Sequence, residues 1–422
     1  MKSTLRILIF IALVLATLDK GSPQITSIEL LLAGVLFFVF LLSIIQFLNT
    51  NQSIPKPLIY LFGFLLLAAI DVVISLSNGV SFLWWTRRYF PILILPMTIL
   101  SSIIAFRSKK QIQTSYIILV IISLSVVIYS LFQLRTVNLS TIISLQSLRK
   151  YGGGYNASLG VCLAIPFLFR RKQLKHLTWL LSMLVFIIFF TGLVLTFTRT
   201  YWISTTVALL LMLFLLIKIH WVKISFVYLV YFIMLTALVL SALIWIMPPT
   251  IKNFLTERAV SIFHANTNLS LLDRISELRG IWSNAIKNPI SIIVGNGLGS
   301  KFTFYSMNPW SWGAVGWMKN DYSHNYYAYL FWSTGLVGLY LFVIFWLSLL
   351  RKLSRALYYA STQHSEDTYY FIGIYTTIVN LLITLLTAPP LMTFKWAIYF
   401  GILVGLALNL IRRNVSFREQ WV

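Results

Sequence analysis

His324 stands in Asp321-Tyr322-Ser323-His324-Asn325, at the mouth of an apolar segment. An imidazole can accept and return a proton near neutral pH, although a lone histidine also serves structure, and the pattern leaves both readings open. The other histidines, His176, His220, His264 and His364, fall in connecting segments. Arg87, Arg88, Arg135, Arg149 and Arg199 lie between apolar segments. A guanidinium fork matches paired phosphate oxygens, where lysine offers a point charge; snorkelling to headgroups is the plainer alternative. Arg274 has a more pointed setting. Leu271, Ile275, Leu278, Ile281, Trp282, Ala285 and Ile286 recur at helical spacing between Ser270, an N-cap with Asp273 at N3, and a stop at Asn288-Pro289. At about 100° per residue Arg274 falls within this apolar stripe and Arg279 just past its edge. A helix resting on its apolar stripe would turn Arg274 inward. A buried cation needs an anionic partner, either a ligand phosphate or an internal carboxylate such as Glu277 or Asp71.

Gly295-Asn296-Gly297-Leu298-Gly299 permits close backbone approach. With no strand before it and no Lys-Ser/Thr after it, a turn is a better reading than a phosphate loop. Residues 302–332 are dense in aromatics, among them Phe304, Tyr305, Trp310, Trp312, Trp317, Tyr322 and Trp332. These suit stacking on sugar rings and an interfacial belt equally well. Asp71 lies within an apolar run, as an anchor for an arginine or a proton relay. No Asp-x-Asp, His-x-x-x-His or Walker motif occurs, and Cys162 is alone. Metal-dependent transfer from a soluble nucleotide sugar and ATP-driven work are therefore not expected, and no metal or cofactor is called for.

The elements that must position these residues follow from composition. The 422-residue chain is 59% hydrophobic and 10% charged, with 33 Lys and Arg against 10 Asp and Glu and a net charge of +23; mean hydropathy is +0.86. No single soluble core can hide so much apolar surface. Apolar windows predict about twelve transmembrane helices, near 5–18, 25–48, 57–77, 89–106, 113–134, 156–169, 177–197, 201–218, 224–247, 327–350, 369–387 and 391–411. The first has the basic start of a signal peptide but no small-residue cleavage site, and reads as retained. The fold class is an all-α polytopic membrane protein. It divides into a helical bundle at 1–247, a long extracytoplasmic loop with an amphipathic helix at 248–326, and a second bundle with a short tail at 327–422.

Charge sets the orientation. One set of connections carries Lys2, Arg6, Lys56, Arg107, Lys109, Lys110, Arg170, Arg171, Lys172, Lys175, Lys218, Lys223, Arg351, Lys352, Arg355, Arg412, Arg413 and Arg418. The opposite short loops carry only Lys20, Arg87, Arg88, Arg135, Arg149, Lys150 and Arg199. The positive-inside rule puts both termini in the cytoplasm and the long loop outside. It also accounts for the high pI without nucleic acid.

Four segments in order are similar to those of the O-antigen ligase and O-antigen polymerase family. DYSHNYYAYLFWSTGLVGL (Asp321 to Leu339) resembles its His-Asn…Gly-x-x-Gly signature. YGGGYNASLGVCLAIPF (Tyr151 to Phe167) resembles its Asn-containing helix start, and TFTRTYW (Thr196 to Trp202) its Ser/Thr-Arg motif. SLLDRISELRGIWSNAIKNPISIIVGNGLG (Ser270 to Gly299) resembles its Arg…Pro…Gly-x-Gly element. Thr198 replaces the commoner Ser, and three glycines precede Asn156. The resemblance implies a metal-independent glycosyltransferase of the bacterial cytoplasmic membrane that uses an undecaprenyl-pyrophosphate-linked glycan. It implies Arg199 and Arg274 as pyrophosphate ligands and His324 as the base. Arg279, Arg87, Arg88, Asn325 and Asn156 are secondary candidates. The acceptor would be a growing glycan or a lipid A core, with polymerase slightly preferred over ligase and other polysaccharide assembly proteins as further partners. The chief alternative is a lipid-linked oligosaccharide flippase or other carrier; a non-catalytic assembly partner and a peptidoglycan glycosyltransferase carry less weight.

Overall fold

The computed structural model describes residues 2–18, 27–49, 54–135, 153–169, 176–218, 249–260, 269–307 and 315–414, with positions 234, 241 and 245. The first nine helices are α1 (Lys2–Leu18), α2 (Ser27–Leu48), α3 (Lys56–Ile70), α4 (Val72–Ser77), α5 (Phe82–Ala105), α6 (Lys109–Arg135), α7 (Tyr155–Phe169), α8 (His176–Leu195) and α9 (Arg199–Lys218). After α10 (Pro249–Val260) come α11 (Leu269–Ala285), α12 (Pro289–Val294) and the strands β1 (Phe302–Ser306) and β2 (Gly316–Asn320). The chain continues through α13 (Tyr326–Thr362), α14 (Asp367–Thr384) and α15 (Phe394–Asn414).

Among the described residues eight helices are long and apolar enough to cross a membrane: α2, the α3–α4 run Lys56–Ser77, α5, α6, α8, α9, α13 and α15. This is an all-α polytopic architecture, in which each spanning segment satisfies its own backbone groups. The expected spans at 5–18 and 156–169 are shorter apolar helices, Ser3–Leu18 and Tyr155–Leu168. The one at 224–247 lies outside the described residues, and the one at 369–387 is the helix α14, which is not among the eight. The span expected from 89 instead begins at Phe82, because the Ser81 side chain caps the helix by accepting from Trp84 N. Arg87 and Arg88 therefore sit on a helix and not in a loop.

The chain forms two compact units: Met1–Ile112 with Asn268–Leu353 and Leu385–Val422, and Gln113–Thr267 with Ser354–Thr384. In the first unit, α5 and α15 lie close because small residues face each other. A Cβ on Gly401 would crowd Thr98, and one on Gly405 would strike Ser102. Such approach is how membrane helices gain contact without a hydrophobic drive. One turn on, the Asn409 amide donates to the carbonyls of Ser102, Ile103 and Phe106 and closes the end of α5.

Two helix breaks in this unit receive the glycine-rich segment. Helix α13 kinks at Gly335, at φ 66°, which leaves the carbonyls of Trp332 and Ser333 without their usual helical donors. The amides of Asn296 and Gly297 take those places at 2.8 and 2.9 Å. At the other break, between α3 and α4, Asp71 Oδ2 accepts Leu298 N at 2.6 Å, and the Asn78 amide donates to Asn296 O. Gly295, Gly297 and Gly299 all have positive φ, and a Cβ on Gly295 or Gly297 would strike Ser333 or Ser75. The segment is a turn, as its sequence suggests, and works as a clamp. The bound partner of Asp71 is a backbone amide and not the arginine that the sequence suggested.

In the second unit, Ser158 on α7, Thr205 on α9 and Asn380 on α14 form one buried hydrogen-bonded junction, with Ser158 Oγ and Thr205 Oγ1 2.7 Å apart. Polar groups between membrane helices hold them in register in this way.

A Cβ on Gly335 would meet the Ile293 carbonyl and the Gly295 amide, and its left-handed backbone disfavours any side chain. Gly335→Ala is expected to cost about 2–4 kcal/mol. Gly34→Ala, whose Cβ meets nothing within 4 Å, should leave the melting point of the detergent-purified protein almost unchanged. Equal melting points for the two variants would refute the clamp.

Candidate functional site

Helix α11 carries two buried acids on its packed face. Asp273, Glu277, Gly280, Ile281 and Ala285 are buried, whereas Leu271, Ile275, Leu278, Trp282 and Ile286 are exposed. The packed face is rotated from the expected apolar stripe, of which Ile281 and Ala285 go inward and these five do not. The reason is the strand that lies along the helix, whose edge carries backbone groups in need of partners. Met307 N donates to Asp273 Oδ1 at 2.9 Å, Ser276 Oγ donates to Tyr305 O at 2.6 Å, and the Asn284 amide donates to Thr303 O at 3.0 Å. An aliphatic face could supply none of these. Gly280 lets Phe304 lie directly on the helix. Arg274 sits at the border between the packed and exposed faces and is half-buried; Arg279 is exposed. Asp273, expected to close a capping box, holds the strand instead. Helix α11 ends at Ala285, and Asn288 caps the short α12 by accepting from Ile290 N.

Strands β1 and β2 pair antiparallel, with Phe304 opposite Met318 and Tyr305 opposite Trp317. Alternation sorts the aromatics. Phe302 and Phe304 join Ile281, Ala285, Phe331 and Trp332 in a core, while Tyr305 and Trp317 face outward in an edge-on pair. Trp310 and Trp312 lie outside the described residues.

The loop from β2 into α13 is held at every residue from Asn320 to Tyr326. The Asn320 amide donates to Tyr322 O. Asp321 Oδ2 accepts from Arg88 Nε at 2.8 Å and from Trp84 Nε1 at 2.8 Å, and pairs with Arg88 Nη2 at 2.6 Å. The Arg88 guanidinium lies 4.9 Å from the Trp84 ring and 5.8 Å from that of Tyr322. Burial, followed by the Glu277 charge, pushes the Tyr322 phenol above its ordinary value, which keeps it protonated. Ser323 Oγ and His324 N both donate to Glu277 Oε2 at 3.0 Å. His324 Nδ1 lies 2.7 Å from Glu277 Oε1. The Asn325 side chain accepts from Ala328 N and caps α13, and Tyr326 N donates to Leu385 O.

Glu277 is the residue that reading the sequence as a stripe did not single out. Its side chain is 1% exposed against 30% for His324. With Oε2 already accepting two donors, Oε1 is an acceptor for Nδ1–H. In the neutral ring this places the proton on Nδ1 and makes Nε2 the acceptor nitrogen. The one available signal was an acid three residues after Arg274 at the edge of an otherwise apolar pattern.

Of the other sequence-derived candidates, Arg88 has its Nε and Nη2 edge on Asp321, and Arg87 faces Glu29 at 3.8 Å. Arg199 opens α9 in the second unit. The Thr-Arg motif there is a tight turn: Phe197 has φ 48°, Thr198 Oγ1 donates to Thr196 O and Trp202 Nε1 donates to Leu193 O. A cation at the positive end of a helix is disfavoured unless an anion joins it. Asn156 lies at the start of α7, its amide 3.3 Å from Gly153 O and its Oδ1 buried without a hydrogen-bond partner among the described residues. Gly153 and Gly154 before it both take positive φ, so the departure from the family's pattern has a backbone cause.

Residues 183–343 match the family model described as O-antigen ligase, which bears out the family resemblance of the sequence motifs. The matched segment contains Arg199, Arg274, Glu277, Arg279, His324 and Asn325; Arg87, Arg88 and Asn156 fall outside it. No curated protein matches the chain.

Removing Arg88 would strand the buried Asp321. Arg88→Ala is expected to destabilise by about 3–5 kcal/mol. The Arg88→Ala/Asp321→Ala pair should cost at least about 1 kcal/mol less than the sum of the single changes in a thermal or denaturant cycle. Strict additivity would show that the pair does not hold the loop.

Proposed function

We propose that the chain is a membrane glycosyltransferase of O-antigen ligase type, and that it moves a glycan from an undecaprenyl-pyrophosphate-linked donor to an acceptor hydroxyl. The family match over residues 183–343 supports the class. The observation that carries the mechanism is the Glu277–His324 pair, a buried carboxylate 2.7 Å from Nδ1. In this reading His324 Nε2 takes the proton of the acceptor hydroxyl as its oxygen attacks the anomeric carbon. The bond from that carbon to the pyrophosphate oxygen breaks, and undecaprenyl pyrophosphate leaves with the electron pair. Glu277 keeps the imidazole in the useful tautomer and stabilises the imidazolium once formed. Arg274, next to Glu277 on the same helix and half-buried, is assigned to the charge that grows on the leaving group. Fixed guanidiniums aimed at developing charge lower the barrier without a metal. Arg199 is assigned to pyrophosphate binding from its Thr-Arg motif alone. The donor lies in the bilayer and the long loop faces the outside, as the positive-inside pattern suggests.

Purified protein incubated with a lipid-linked repeat unit should form glycosidic bonds. A ladder of products indicates a polymerase, and a single transfer to a second acceptor a ligase. His324→Ala should lower the rate by about 10²–10⁴-fold. Arg274→Ala should fall comparably, with membrane expression intact in both. Glu277→Gln, which keeps the shape and loses the charge, should lower the rate by at least about tenfold. Wild-type turnover in both His324→Ala and Arg274→Ala would refute the assignment.

A further inference from the structure

Arg88 and Arg107 mark the two ends of α5, about 28 Å apart along the helix at 1.5 Å per residue, and their surroundings differ. At the first, the Nε and Nη2 edge of Arg88 is held by Asp321. At the second, just past the end of α5, Nε and Nη2 of Arg107 are buried with no hydrogen-bond partner among the described residues. These two atoms form the side-on fork that takes two oxygens of one carboxylate or phosphate.

The packing carries a second arginine to the same end of α5. Helices α5 and α15 run in register, with Thr98 against Gly401, Ser102 against Gly405 and Phe106 against Asn409. One step further along, α5 yields to Arg107 and α15 to Arg412. Arg412 lies in the last turn of α15. Burial lowers the affinity of Arg107 for its proton, as expected of a desolvated cation without an anion beside it. The start of α6 adds to the excess. Ser108 and Gln111 form a reciprocal capping box, Gln111 Oε1 accepting from Ser108 N and Ser108 Oγ from Gln111 N. Lys109 and Lys110 then occupy the first turn of a helix that has no acid there, against the preference of its dipole. The chain contains no Asp or Glu between Asp71 and Glu257, so no acid close in sequence accompanies Arg107 and the first turn of α6.

We propose that Arg107 and Arg412, with the first turn of α6, form a binding site for a phosphate-bearing anion at the end of α5 opposite the Asp321 loop. The same chemistry fits the headgroup phosphate of an anionic phospholipid and a free phosphate ion. Basic clusters at the ends of membrane helices take lipid phosphates in this way. The site is separate from the Glu277–His324 pair and does not depend on the transferase reading.

The test uses the full chain, delipidated in a neutral detergent. Thermal melts are recorded with phosphatidylglycerol, with phosphatidylethanolamine, and with inorganic phosphate against chloride at equal ionic strength. Phosphatidylglycerol should raise the wild-type midpoint by roughly 2–4 °C over phosphatidylethanolamine. A response to phosphatidylglycerol alone identifies a lipid headgroup as the ligand, and an equal response to inorganic phosphate a free anion. Arg107→Gln should abolish the shift, and Arg107→Lys, which keeps the charge and loses the fork, should leave only part of it. Arg412→Gln is the second variant should Arg107→Gln fail to purify, and it too should lose the shift. A wild-type midpoint unmoved by both phosphatidylglycerol and phosphate, or glutamine variants that respond as wild type, would overturn the site.

Discussion

A carboxylate taken out of water must gather donors around it or lose its charge. In a chain with only ten acids, four of them, Asp71, Asp273, Glu277 and Asp321, are buried in one compact unit. Each gathers its donors from the segment between α11 and α13 or fastens that segment to a membrane helix. Asp71 holds the glycine turn, Asp273 the end of β1, and Asp321 ties the loop before α13 to Arg88 and Trp84. Glu277 is the most demanding. It accepts two backbone or hydroxyl donors on one oxygen and faces an imidazole with the other. The position of His324 follows from satisfying that buried charge.

The rigid frame behind this loop depends on interruptions in the helices. An unbroken α13 would have no carbonyls to offer the amides of Asn296 and Gly297. Asp71, at the junction of α3 and α4, holds the Leu298 amide. Glycine at 295, 297 and 335 is needed because backbone meets backbone at each of these positions. The cost of breaking a helix in an apolar setting is offset only if every freed group finds another partner. Here the loop supplies those partners, so loop and helix breaks define each other.

The arginines divide by what surrounds them, and their chemistry divides with it. Arg88 has a carboxylate and two aromatic faces, which make it a structural cation. Arg199 and Arg274 sit half-buried at a helix start and at the border of a packed face. Arg107 has a buried fork with no hydrogen-bond partner among the described residues, at the far end of α5. A single composition term, the +23 charge, thus covers structural cations, candidate ligand-binding cations and those that set topology.

Much of the architecture was legible in the residues. Twenty-residue apolar runs dictate spanning helices, the lysine and arginine bias suggests orientation, the glycine pattern at 295–299 requires a turn, and helical spacing over 269–285 gives α11. Periodicity tells which residues share a face but not what will cover it. The whole apolar stripe of α11 was therefore assigned inward, although the neighbouring strand needed hydrogen-bonding side chains and drew the adjacent face with Asp273 and Glu277 to itself, keeping only Ile281 and Ala285 of the stripe. The same limit offered Glu277 only as a partner for Arg274, since its bond to a histidine 47 residues later in the chain has no local signal. It also placed Arg88 in a loop, when Asp321 makes it a helical anchor. Composition and spacing determined by themselves that this chain spans a membrane and carries a long segment between spanning helices with basic residues and a histidine. Only the tertiary structure decided which charges are paired, because pairing depends on distance in space and burial sets its cost.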